Sequence, residues 1–283
     1  MPGGAQMSEP LPELSSLRIG IERGVLFVTI AHPPINLLDA SLVRQLRRLL
    51  SWLEGASRIR VVVFRSADPD FFLAHADLRM IIEYGASPPR PHAGLLPFND
   101  MCERYRGLPQ LTIGQIEGRA RGGGSEFVLA LDLRFAALGR ALLAQPEAAL
   151  GLIPGGGATQ RLPHVVGRAR ALEIMLGCED LDAERAQQYG YVNRALPAAH
   201  ITGAVDALAF RAASYPPGLI ARIKRSVDFG LELHAGLQQE EAAFAELARE
   251  DATRAQLERL LQAGVQQRAA ELGDFLRLCG AAP

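Results

Sequence analysis

Lysine is nearly absent from this chain. Lys224 is the only one, and the other cations are arginines, whose planar fork favours bidentate contacts to phosphate or carboxylate. Cysteine is scarce too. Cys102, Cys178 and Cys279 are odd in number and far apart, which excludes a disulfide framework and a zinc-ligand spacing and makes a reducing compartment the default. No apolar run reaches the length of a membrane span. The opening MPGGAQMSEPLPELSSL lacks the basic and apolar regions of a secretion signal and the arginine-rich pattern of a mitochondrial presequence. A cytoplasmic location is the expectation. Net charge is small: thirty basic residues against thirty-one acidic ones leave −1. That balance gives no general attraction to nucleic acid or to an anionic membrane.

What is present is ample core. The 283 residues are 48% hydrophobic and 22% charged, enough for one large domain or two small ones. Residues 1–14 are rich in Pro, Gly and small polar residues and read as a flexible tail. Leu17–Ile21 and Val25–Ala31 are β-like runs about Glu22-Arg23-Gly24, a predicted hairpin. Leu42, Val43, Leu46, Leu49, Leu50 and Leu53 recur at helical spacing behind Asp39 or Ser41 as N-cap. Ile59–Phe64, Leu111–Ile116 and Leu133–Ala137 read as strands, and Ser125–Leu131 as a short apolar helix. Residues 85–97 carry a cluster of prolines and read as a loop beside a site. Pro154-Gly155-Gly156-Gly157 opens a stretch expected to be helical to the end, broken at Pro216-Pro217. The apolar stripe Phe244, Leu247, Leu257, Leu260, Leu261 and Val265 requires burial, on the N-terminal core or on another subunit.

Three segments carry chemistry: Phe71–Leu78, Gly122–Glu126, and Gln145-Pro146-Glu147 continuing through Gly151–Leu162. Three glycines before a helix let a ligand approach the main chain, and the first N–H groups of that helix suit an anion or a developing oxyanion. No lysine follows the glycines as a P-loop needs, GxGxxG is absent, and Phe127 occupies the last glycine of a GxSxG elbow, which disfavours Ser125 as a nucleophile. No HExxH or clustered Cys/His pattern supports a metal. Taken alone, GGGSE is equally a tight turn. Glu126 and Glu147 sit in apolar surroundings, where desolvation raises a carboxylate pKa toward the range useful for proton transfer.

In order and spacing these segments resemble the enoyl-CoA hydratase/isomerase (crotonase) family. The family pattern runs roughly AGADI or AGADL, NGxAxGGGxEL, QPE and PGxGGTQRL; here it reads AHADL, EGRARGGGSEF and AQPEAALGLIPGGGATQRL, with likeness from about residue 18 to about residue 250. The resemblance implies an α/β fold, a spiral of ββα turns over 15–200 with a helical region over 201–283 that builds homotrimers or homohexamers. It implies an acyl-CoA substrate, with coenzyme A part of that substrate and no separate cofactor. By the same likeness Ala76 and Gly123 supply oxyanion N–H groups, Glu126 and Glu147 hold and activate water, and Gly155 helps position it; Ala74 and Arg79 fall in the substrate-binding stretch.

The sequence departs from the pattern at points. His75 replaces the glycine before the oxyanion alanine, Glu117 stands for the usual Asn with Arg119 as a possible pairing partner, and the end after Arg254 diverges. Retention of both glutamates favours reversible hydration of a 2-enoyl-CoA. A one-base isomerase or decarboxylase, and a catalytically weak acyl-CoA-binding subunit, are the alternatives.

Overall fold

A computed structural model describes residues 11–88, 94–229, 233–273 and 275–279. Most of the tail read over 1–14, and the middle of the loop read over 85–97, lie outside the described residues.

Strands β1 (Leu17–Glu22) and β2 (Val25–Ile30) form the predicted hairpin, with Leu17 opposite Ile30. Helix α1 (Ala40–Gly55) follows, and the Asp39 side chain caps it by accepting from Leu42 N at 2.8 Å. Its leucine stripe, Leu42, Leu46, Leu49, Leu50 and Leu53, is fully buried. The chain then repeats one pattern. Strands β3 (Val61–Ser66) and β4 (Phe71–Leu73) lead into α2 (Leu78–Ala86) and α3 (Pro97–Gly107). Strands β5 (Leu111–Ile116) and β6 (Arg119–Arg121) lead into α4 (Gly123–Ala130). Strands β7 (Leu133–Leu138) and β8 (Leu142–Ala144) lead into a 3₁₀ turn (Glu147–Leu150), α5 (Ala158–Val166) and α6 (Arg168–Gly177). Next come β9 (Leu181–Asp182), α7 (Ala183–Tyr189) and β10 (Arg194–Pro197). The rest is helical: α8 (Ala198–Ala213), α9 (Leu219–Asp228), α10 (His234–Arg249), α11 (Asp251–Gln262), α12 (Arg268–Leu272) and α13 (Phe275–Cys279).

In each repeat the first strand joins a six-stranded sheet, order β1-β2-β3-β5-β7-β10, and the second a four-stranded sheet, order β4-β6-β8-β9. Within the repeats the pairings are parallel, as between β3 and β5 and between β4 and β6. This is the expected α/β spiral of ββα turns. Short strands produce the differences from the sequence reading. The stretch after Gly157 is not uninterrupted helix, because β9 pairs with β8 and β10 runs parallel to β7, Arg194 opposite Phe135. Arg194-Ala195-Leu196-Pro197 has little intrinsic strand character, and the open edge of β7 supplies its hydrogen bonds. Helix α4 begins at Gly123, two residues ahead of the predicted start.

The C-terminal stripe packs within the chain. Leu257, Leu260 and Val265 are buried with Leu78 of α2 and with Leu150 and Leu152 beside the 3₁₀ turn. Phe244, Leu247 and Leu261 flank that cluster. The C-terminal helices therefore cover the face where the two conspicuous glutamates emerge. Among the described residues no helix is long and apolar enough to cross a membrane.

Candidate active site

Helix α4 starts at a residue that only glycine adopts readily: Gly122 has φ 47° and ψ −125°. Its N–H bonds Ala144 O of β8 at 3.0 Å and its carbonyl accepts from Glu126 N at 2.8 Å, which sets the first turn and points Glu126 inward. Glu126 is 3% exposed. Its Oε1 accepts from Gly156 N at 2.7 Å and Ala158 N at 3.1 Å, the entry to α5. The alternate amides of the same segment serve a third carboxylate: Gly157 N donates to Glu240 Oε1 at 2.6 Å and Thr159 N to Glu240 Oε2 at 2.8 Å. Unpaired N–H groups at a helix N-terminus favour negative charge, and here two buried glutamates share them.

Glu147 opens the 3₁₀ turn after β8 and is 8% exposed. Its Oε2 is buried and makes no hydrogen bond within the described protein. The two carboxylates therefore differ. Burial raises the Glu126 pKa, while the Ala158 and Gly156 amides and the Arg161 charge oppose the rise. Burial raises Glu147 well above the carboxylate range, and the Glu126 charge adds to it, opposed only by the amide of Glu147 itself. Of the pair, Glu147 is pushed further toward its protonated form than Glu126. Burial and the Glu126 charge push Glu240 up to about 8.

A cavity of about 300 Å³ is bordered by both Glu126 and Glu147, by Ala76 and Gly123, and by apolar side chains including Leu78, Ile81, Leu152 and Phe244. Ala76 follows β4 and forms a parallel bridge with Leu38. His75 O accepts from Leu38 N at 2.9 Å, and Asp77 N donates to Leu38 O at 3.1 Å. The Ala76 N–H takes part in neither bond. Because a trans peptide points its C=O and N–H in opposite directions, anchoring His75 O to Leu38 turns the Ala76 N–H the other way. Ala76 N lies 3.5 Å from where a Cβ on Gly123 would sit, so the two backbone segments meet at the cavity wall. Gly123 is the first residue of α4, whose N–H has no partner inside the helix. Paired donors and paired carboxylates on one apolar cavity can stabilise an oxyanion while moving protons beside it. No group of three or more His, Cys, Asp or Glu side chains suited to a metal occurs among the described residues.

Residues 20–267 match the model of the family described as enoyl-CoA hydratase/isomerase. The chain belongs to the enoyl-CoA hydratase/isomerase family. Over 219 residues it is 33% identical to the mitochondrial methylglutaconyl-CoA hydratase of Rattus norvegicus, a match covering 75% of this chain and 68% of that protein. It is 28% identical over 237 residues to the short-chain-enoyl-CoA hydratase of Clostridium acetobutylicum, covering 83% of this chain and 90% of that one. The crystal structure of a candidate enoyl-CoA hydratase from Streptomyces avermitilis superposes with a TM-score of 0.87 at 42% identity, covering 95% of this chain and 98% of that chain.

Within this member of the enoyl-CoA hydratase/isomerase family, the structure brings Glu126, Glu147, Ala76, Gly123 and Gly155 to one cavity. Gly155 offers its carbonyl to Asn99 Nδ2 at 3.1 Å, and the loop amide that engages Glu126 belongs to Gly156. Ala74 does not line the cavity. Its N–H bonds Asn36 O and its carbonyl accepts from Arg121 N, and the side chain packs with Ile35 and Phe71. Arg79 is exposed on α2 and off the cavity wall. Glu117 accepts from Gln115 Nε2 at 2.6 Å, while Arg119 turns to the carbonyls of Asp70 and Leu272, so the pairing suggested by their sequence proximity does not form. Ser125 is spent on the Tyr191 hydroxyl at 2.5 Å. Glu240 is the residue that sequence reasoning missed. It lies in Gln-Gln-Glu-Glu on an amphipathic helix, a context that reads as a solvated face.

Proposed function

We propose that this chain catalyses the reversible addition of water to a 2-enoyl-CoA. The observation that carries the reading is the unequal pair of buried carboxylates, one held by two loop amides and one with an oxygen that has no partner within the described protein, on the same cavity as the Ala76 and Gly123 donors. In the forward direction the Glu126 carboxylate takes a proton from water as the oxygen attacks C3. The C2=C3 electrons move toward the thioester, and the Ala76 and Gly123 N–H groups stabilise the enolate oxygen, an effect of ~10²–10³ per donor. The Glu147 carboxylic acid then gives its proton to C2, and proton exchange between the two carboxyls and solvent restores the starting state. General acid–base assistance contributes ~10²–10⁴. Mixing with crotonyl-CoA tests this directly. The conjugated enoyl-thioester absorbance falls if the chain is a hydratase and persists if it only binds acyl-CoA.

The same reading extends to assembly, a homotrimer or homohexamer. Its support is an apolar face left uncovered after the C-terminal stripe has packed: Ile223 and Val227, one turn apart on α9, are 53% and 68% exposed, and Phe229 is 92% exposed. Exposed clusters of this kind mark association surfaces. Light scattering is expected to return about three or six times the 30.5 kDa chain mass; a monomer at roughly micromolar concentration would contradict the assembly.

A further inference from the structure

His75 stands in the peptide that presents the oxyanion donor, and its ring is buried. Nδ1 lies 2.8 Å from Ala76 O, and Nε2 lies 3.0 Å from Glu271 Oε1 on α12. Phe275 of α13 stacks on the ring with centroids 5.1 Å apart and planes 23° from parallel. Both polar partners are acceptors. A carbonyl oxygen has no proton to give, and Glu271 Oε1 is already accepting from Gln266 N at 2.8 Å. Arg121 Nη1 stands 3.8 Å from Glu271 Oε2, which favours the ionised carboxylate. A neutral imidazole has a single N–H and would satisfy only one of its two acceptors. Both bonds form when the ring carries two protons.

We infer that His75, as an imidazolium held by Glu271, clamps the Ala76–Asp77 peptide and so holds Ala76 in place, keeping the N–H of the preceding peptide aimed at the reacting thioester carbonyl. The inference rests on the hydratase reading for its kinetic consequence, whereas the protonation of the ring does not. Leu38 fixes the peptides on either side of Ala76. The His75 ring fixes the Ala76 carbonyl itself and ties it to α12. His75 is thus a positioning residue, acting through Ala76. A loosened donor costs rate more than affinity, because the oxyanion develops only as the reaction proceeds.

The charged and titratable groups around the ring come from several elements. They are Glu271 of α12, Arg121 of β6 with its partner Asp180, the adjoining Asp77 that accepts from Gln266, Glu147 of the 3₁₀ turn, and the Cys279 thiol of α13. Burial alone would lower the His75 pKa. The Glu271 charge and hydrogen bond, with the Ala76 carbonyl, lift it above the ordinary value against Arg121. Glu271 is lowered: burial pushes it up, but His75, Gln266 N–H and Arg121 outweigh that. For a raised histidine the stabilisation is complete below the unfolded pKa and lost as pH rises through the folded one. For a lowered carboxylate it is present above the unfolded pKa and lost as pH falls through the folded one. The clamp is therefore intact between the Glu271 and His75 values.

The test uses the full chain: ring titration by NMR from about pH 5 to about pH 10, with His75→Gln for assignment, alongside crotonyl-CoA kinetics. His75 is expected to be doubly protonated at neutral pH and to deprotonate above the ordinary histidine range. Glu271→Gln keeps the shape but removes the charge, and should lower the His75 pKa by ~1–3 units. An alkaline limb of kcat moves down by the same interval, with KM changing less. Deprotonation of Glu147 gives a second alkaline limb that this substitution leaves in place. Above the shifted limb, kcat falls on the order of 10–10²-fold. A His75 that is neutral at pH 7 in the unaltered protein overturns the inference without any variant. So does a Glu271→Gln protein whose ring titration moves while its kcat profile does not. Wild-type protein inert toward enoyl-CoA at every pH would overturn the hydratase reading instead, and with it the kinetic role of the clamp, while the ring titration still decides the charged pair.

Discussion

Glu147→Gln and Glu126→Gln are each expected to lower kcat by ~10²–10⁴ with little change in acyl-CoA binding. Glutamine preserves shape and hydrogen-bonding capacity and removes the ability to exchange a proton. The routes to loss differ. Glu126 accepts two backbone N–H groups, so its glutamine carbonyl still fits the loop and the protein keeps its fold while lacking a base. Glu147 has one buried oxygen without an internal partner, so its glutamine is tolerated and the acid is gone. The double variant should cost far less than the product of the single effects, because both groups serve one proton inventory. The pH profile checks the assignment. As pH falls through the raised Glu126 value the base is lost, and as pH rises through the Glu147 value the acid is lost, giving a bell. Glu147→Gln abolishes turnover and Glu126→Gln is silent only if a single base suffices. That outcome replaces hydration with a one-base isomerisation.

What could be read from the sequence, and what could not, divides by range. Helix α1 and the β1–β2 hairpin were legible because their signals are local: a leucine stripe behind Asp39, and two alternating runs about a tight turn. Glu126 was legible because glycines and an apolar run adjoin it. The four-stranded sheet was not. Strands β4, β6 and β8 have three residues each, too few for a period-two pattern, and Arg119-Ala120-Arg121 carries charges where a strand reading wants apolar residues. Glu240 gave no signal because its partners, Gly157 and Thr159, are 83 and 81 residues away. His75 showed itself only as a departure from the family glycine; its meaning depends on Glu271, 196 residues on, in a five-residue helix. Local patterning singled out Glu126 and Glu147, while Glu240, which holds the loop that engages Glu126, and Glu271, which holds His75, come from the folded C-terminal helices.

Gly156→Ala should remove most activity from a protein that remains folded. The Gly156 N–H holds Glu126 Oε1 at 2.7 Å, and the backbone passes so close that an added Cβ would overlap Glu126 Oε2 and lie 2.5 Å from Phe98 Cε1. Something must yield. The neighbouring segment has little freedom, because Gly157 and Thr159 are held by Glu240, and Arg161 Nη1 holds Gly156 O at 2.6 Å. Glu126 is the softer partner, since a carboxylate turns about its side-chain torsions more readily than a backbone held on both sides can shift. The methyl group therefore displaces the base from the amides that support its charge. Three consequences follow. Overpacking costs about 1–3 kcal/mol of stability, which a chain of this size registers as a modest fall in Tm. The displaced carboxylate costs ~10²-fold or more in kcat. The loss of an amide that lowers the Glu126 pKa moves the acidic limb of the profile to higher pH. Gly203→Ala is the control: this glycine lies within α8 with nothing in reach of an added Cβ, and alanine there is expected to stabilise by about 0.5–1 kcal/mol without touching kcat. A Gly156→Ala protein whose kcat per folded molecule equals that of wild type, with an unmoved acidic limb, would show that the loop amide does not set the position of the base.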